Sequence, residues 1–149
     1  MDENIASGVG KYLIFKLHDE EYGMDIQRIA TIIEKDMSIA RVPKTPPFLK
    51  GVINLRGEII PVLSLGKKFN LPDDEYTEET RIIIVKLDEI TAGLIVDSVA
   101  EVLELDEDSI ENITNISGDL SLDYITGVGK ADGRIITLLN LEKLVSITD

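Results

Sequence analysis

The 149-residue chain has no cysteine and no tryptophan. Without thiols there is no disulfide, thiolate-bound metal or cysteine nucleophile, and the composition fits a reducing cytoplasm. Its single histidine, His18, stands in an acidic turn with Asp19, Glu20 and Glu21. One imidazole lacks the company that a metal site or a Ser-His-Asp triad requires, so neither metal nor cofactor is expected. Positive charge is scarce too: 15 Lys and Arg against 28 Asp and Glu leave −13 at pH 7. Such a surface repels nucleic acid and anionic lipid. No apolar run approaches the length of a membrane span, and no basic n-region followed by an apolar h-region opens the chain. A soluble, unexported protein is therefore expected. Aromatic residues make up 5%, so Ile, Val and Leu must build the core, a composition that leans towards strands.

What is present is organised around Gly51-Val-Ile-Asn-Leu-Arg-Gly-Glu-Ile-Ile-Pro-Val-Leu-Ser-Leu65. Two apolar runs flank an Arg-Gly pair, which predicts a β-hairpin with Asn54, Leu55, Arg56 and Gly57 at its tip. Gly57 supplies the positive φ of a tight turn, and on this reading the turn asks for nothing more. Upstream, Tyr12–Leu17 reads as a strand, His18–Glu21 as a turn and Tyr22–Met24 as the start of a return strand. Asp25 can cap a short helix through Ile26, Ile29, Ala30 and Ile33, although the β-branched run also suits a strand. The proline-rich stretch Arg41–Pro47 is a loop. Ser64 caps a helical turn reaching Phe69. The acidic Leu71–Glu79 links two halves.

The pattern then returns. At an offset of 70 residues Lys16-Leu17 meets Lys86-Leu87, Gly23 meets Gly93, Ile29 meets Val99 and Ala30 meets Ala100. Farther on the offset is 76: Gly51 meets Gly127, Gly57 meets Gly133, Ile59-Ile60 meets Ile135-Ile136, and Ser64 meets Asn140. A steady register broken by one short insertion argues for internal duplication. About five short strands per copy predict two small β-barrels packed side by side, since each alone is marginal in size. The expected layout is a tail at 1–10, a first barrel at about 11–79 and a second at about 80–149, with crossing of the termini between barrels left open.

Each copy serves as a control for the other. Shared glycines, the Ile-Ile step and the leucines are what the barrel requires; Gly57 and Gly133 are its turn residues. At the tip, Asn54-Leu55-Arg56 faces Lys130-Ala131-Asp132. The turn forms with Asp as well as with Arg, so Arg56 is either a solvated turn residue or part of a contact patch with Leu55. Gly127-Val-Gly-Lys130 lacks the spacing of a phosphate loop, and the acidic run Leu103–Ser109 lacks that of a calcium loop. No catalytic constellation emerges. A small-ligand sensor, or a hydrolase using carboxylates in the cleft between barrels, stands as the alternative class.

With Gly51-Val-Ile-Asn-Leu-Arg-Gly57, Ile59-Ile-Pro-Val62 and Glu21-Tyr-Gly-Met-Asp-Ile26 taken together, the chain resembles the CheW family of bacterial chemotaxis coupling proteins from about Tyr12 to Val145. The regulatory domain of the kinase CheA and the front half of CheV share this module. The chain has no room for a kinase core, and a free-standing adaptor fits it best. The resemblance implies a mainly β fold of two five-stranded SH3-like barrels with short helices, filling residues 11–149. It implies a scaffold rather than an enzyme, monomeric in isolation. Its partners would be chemoreceptor (methyl-accepting chemotaxis protein) cytoplasmic tips and the CheA regulatory domain, in arrays at the inner face of the membrane. The implied receptor-facing residues are Arg56, Asn54, Leu55, Ile32 and Ile33, with Ile83 and Val85 beside them in a groove between barrels. Ala30, Val42 and Gly51 are the implied kinase-facing residues.

Overall fold

The computed structural model describes residues 9–34, 38–72, 75–111 and 124–145. The strands are β1 (Val9–Leu17), β2 (Glu20–Asp25), β3 (Ile29–Glu34), β4 (Leu49–Leu55), β5 (Glu58–Ser64), β6 (Arg81–Leu87), β7 (Ile90–Val96), β8 (Ser98–Asp106), β9 (Ile110–Glu111), β10 (Ile125–Ala131) and β11 (Arg134–Leu139). One-turn helices follow β5 at Leu65–Lys68 and β11 at Leu141–Leu144. Ser64 and Asn140 cap them, accepting from the backbone N–H of Lys67 at 3.1 Å and of Lys143 at 3.2 Å. Val9 and Gly10, expected in the tail, already pair with Asp106 and Leu105, whereas residues 1–8 of that tail lie outside the described residues.

Asp25 does cap a turn, its Oδ1 accepting from Gln27 N at 2.9 Å, but only Ile26–Arg28 is helical. From Ile29 the strand wins, because the β-branched Ile29, Thr31, Ile32 and Ile33 lose little rotamer freedom there and pair with β6.

Two sheets result, ordered β3-β6-β7-β5-β4 and β8-β1-β2-β11-β10-β9. These are the two SH3-like barrels, and the internal offsets map one order onto the other. Val62 pairs with Gly93 in parallel between β5 and β7; their equivalents Leu138 and Gly23 pair in the same way between β11 and β2. Even the two-residue β9, which pairs with β10 through Glu111 and Val128, has its counterpart in an isolated Ala40–Val52 bridge.

Strand membership does not follow a division near residue 79. One sheet is continuous, drawn from residues 29–96; the other joins 98–139 to the N-terminal hairpin 9–25. Equivalent hairpins satisfy the same register, so the offsets alone do not say which hairpin completes which barrel.

Among the described residues, three apolar clusters form the core. Ile53, Ile60, Val62, Ile82, Ile84 and Ile95 fill one barrel, and Ile14, Leu105, Ile136 and Leu138 the other. The largest cluster takes buried residues from both sheets, among them Leu13, Phe15, Met24, Leu63, Ile83, Val85, Leu94 and Leu139. β6 shows how: Ile82 and Ile84 face the barrel interior, Ile83, Val85 and Leu87 the seam. Full burial of such a side chain contributes about 1.5–3 kcal/mol, so the seam fastens the barrels together. Four of the seven aromatics stack at this seam, in a run Phe15–Tyr22–Phe69–Tyr124 with ring centroids 5.7–5.8 Å apart.

Candidate interaction site

The β4–β5 tip is a two-residue turn with Arg56 at φ 55° and Gly57 at φ 87°. Both central residues are left-handed, the type I′ geometry whose twist matches a hairpin. The turn therefore asks for more than the glycine. Arg56 adopts a conformation that Asn, Asp or Gly accepts more readily. Asn54 Oδ1 accepts from Gly57 N at 2.9 Å and braces the bend. The second tip repeats the backbone, with Asp132 at φ 51° and Gly133 at φ 77°, and there the aspartate suits its place.

Arg56 is exposed, and its guanidinium has no hydrogen bond or ion pair among the described residues. Leu55 and Ile33 are half-buried and both pack against the same barrel core. Asn54 is exposed, and Ile32 on the β3 edge is 38% exposed. The structure thus brings Asn54, Leu55 and Arg56 together at the tip and Ile33 to the same core as Leu55, whereas Ile32 points outward from β3.

Ile83 and Val85 cannot join them. Both are 0% exposed in the seam, because β6 lies between β3 and β7 with both faces covered. The expected open groove between the barrels is, at these positions, packed core. Gly51 is corrected as well: it is buried at φ 148°, and a Cβ there would collide with the Ala40 carbonyl oxygen. Its role is the close approach of two backbones rather than contact with a partner. Ala30 is exposed and Val42 is 40% exposed.

Sequence reasoning misses Ile59, 61% exposed beside the tip, and its equivalent Ile135, 68% exposed. Repetition in both copies points to the whole Ile-Ile step as a barrel requirement, yet only Ile60 and Ile136 are buried. Strand alternation holds the signal, since two consecutive residues face opposite ways. The β3–β8 equivalence repeats the point: Ile32 and Val102, 70 apart, are both exposed.

Ion pairs tie the strands of the second barrel together. Arg134 on β11 holds Glu21 of β2 through two bonds of 3.0 Å and reaches Glu101 of β8 at 2.7 Å. The hydrogen bond from Arg134 holds the Glu21 carboxyl below its ordinary pKa, against partial desolvation. Lys130 does the same for Glu111 across 2.8 Å. A general acid needs the reverse shift. Among the described residues no group of three or more His, Asp or Glu could hold a metal ion, and no helix is long and apolar enough to cross a membrane.

The molecule is a pair of SH3-like barrels around a filled seam, with exposed side chains at a hairpin tip. A family model described as a CheW-like domain matches residues 11–149, and the chain belongs to that family of chemotaxis coupling proteins, which are scaffolds rather than enzymes. It is 38% identical over 136 residues to chemotaxis protein CheW of Klebsiella aerogenes, covering 91% of this chain and 81% of that protein. Against chemotaxis protein CheW of Bacillus subtilis it is 35% identical over 133 residues, covering 87% and 83%. The crystal structure of the scaffolding protein TtCheW from Thermoanaerobacter tengcongensis superposes with a TM-score of 0.80 at 40% identity, covering 88% of each chain.

Proposed function

We propose that this chain couples chemoreceptor cytoplasmic tips to the regulatory domain of the kinase CheA, working in arrays at the cytoplasmic face of the membrane. The observation that carries the receptor contact is Arg56: an exposed guanidinium in a left-handed conformation that suits aspartate better, without a partner among the described residues. Local preference is sacrificed at functional sites, and a cation there can pair with a carboxylate or with the carbonyls of a helical tip. Asn54, Leu55, Ile32, Ile33 and the added Ile59 offer the apolar and polar rim around it. The receptor helix lies across this rim, since the seam is already filled. Ala30 and Val42 are the kinase-facing residues, and Gly51 holds the Ala40 backbone close to Val42.

Arg56→Glu leaves the melting temperature unchanged and weakens receptor binding by about 1–3 kcal/mol, the range for removing a charged hydrogen-bonding group from an interface. A receptor-fragment pull-down in which the folded variant keeps full affinity would falsify the assignment.

A further inference from the structure

We infer that the loop from Arg41 to Lys50 is a docking cleft for a short, extended, acidic segment of a partner protein. The charge pattern is the first observation. Residues 37–57 contain no Asp or Glu and four cations, Arg41, Lys44, Lys50 and Arg56, in a chain of net charge −13. With 28 acids in 149 residues, a stretch of this length would carry about four. The matching stretch of the second copy, residues 113–133, carries Asp119, Asp123 and Asp132 against Lys130 alone. The barrel therefore does not require a basic loop here.

Shape is the second observation. Arg41, Lys44 and Lys50, with Pro43, Pro46 and Pro47, line a cleft of about 460 Å³. Arg41 and Lys44 are exposed and form no ion pair among the described residues. The loop is anchored: Ala40 and Val52 exchange two backbone bonds of 2.8 Å, Thr45 Oγ1 donates to the Val42 carbonyl at 2.9 Å, and Leu49 N donates to the Pro46 carbonyl at 3.0 Å. Little ordering remains to be done on binding. The three prolines bring no N–H, so anions are met by the cationic side chains.

A protein segment fits better than a membrane or a nucleic acid. Beyond a Debye length of about 8 Å, a long polyanion meets the acidic remainder of the surface. A few consecutive carboxylates on an extended chain meet only the cleft. The cleft also stands apart from the Arg56 tip, because the seven residues of β4 separate the two by about 20 Å. The inference does not rest on either partner assignment above, although Val42 belongs to this wall.

The test is a titration of the ¹⁵N-labelled full chain with a capped hexaglutamate peptide at low salt, followed amide by amide. Saturable shifts confined to residues 40–50 are expected, weakening at least tenfold in the Arg41→Glu/Lys44→Asp double variant and unchanged in Arg56→Glu. Two parallel arms use inorganic phosphate and phosphatidylglycerol vesicles. Absence of shifts, shifts centred on the 54–59 tip, or vesicle binding that outcompetes the peptide would each overturn the proposal.

Discussion

The β4–β5 and β10–β11 tips share one backbone and differ in side chains. Arg56-Gly57 and Asp132-Gly133 have nearly the same positive φ pairs, and a Cβ on either glycine meets no atom within 4 Å. The fold thus needs two left-handed residues and nothing else at these points. Aspartate meets that need locally; arginine meets it with strain that the hairpin itself does not offset. Duplicated chains separate what a barrel demands from what one copy has been left free to display.

Substitutions at paired positions test one copy against the other. The largest effect falls on the close backbone approach. Gly51→Ala is expected to cost about 3 kcal/mol or more in urea unfolding, since it adds both a collision and a strained φ. Its equivalent Gly127→Ala, whose Cβ would stand 2.9 Å from the Glu111 carbonyl oxygen without the strained φ, should cost less, about 1–3 kcal/mol. Equal losses would mean that the two positions do the same work.

Within the Ile-Ile steps, Ile60→Ala and Ile136→Ala should each lose about 2–5 kcal/mol as buried residues. Ile59→Thr and Ile135→Thr should stay within about 0.5 kcal/mol. At the tip, Gly57→Val should lose about 1–3 kcal/mol from backbone strain alone, visible as a lower melting temperature with unaltered circular dichroism. Arg56→Asp should raise stability slightly, by about 0.5 kcal/mol, because aspartate takes the left-handed conformation more readily and the second tip already carries it.

A pH dependence distinguishes the barrels themselves. The Glu21–Arg134–Glu101 network ties β2, β11 and β8 in the barrel that the N-terminal hairpin completes; the equivalent positions in the other are Thr91, Glu58 and Thr31. Glu21 has its folded pKa lowered, so its contribution is fully present above the ordinary glutamate value of about 4.3 and disappears as pH falls through the lowered folded value. Wild type and Glu21→Gln should melt apart at pH 7 and converge as the pH falls through the lowered folded value, as scanning calorimetry can check. A gap that persists in acid would place the effect elsewhere.

Much of this is legible from spacing. The 70- and 76-residue offsets align strands, caps and even single cross-strand pairs, because periodic burial and turn chemistry are local demands. The tip is legible for the same reason. Exposure on β6 is not: Ile82 to Val85 is an unbroken apolar run, and such a run does not say what covers each face. Sequence therefore points Ile83 and Val85 towards a groove that the seam in fact fills. Ile59 escapes notice because its likeness to Ile135 looks like a fold requirement, whereas both are outward-facing.

The class of fold, the duplication, the helix caps and the glycines of the two tips follow from interactions among near neighbours and could be read from the chain alone. Tertiary structure alone decided which hairpin completes which barrel, and that the surface between the barrels is taken up by their own association. Those outcomes depend on long-range pairing between repeats of equal register, where only packing in three dimensions breaks the tie.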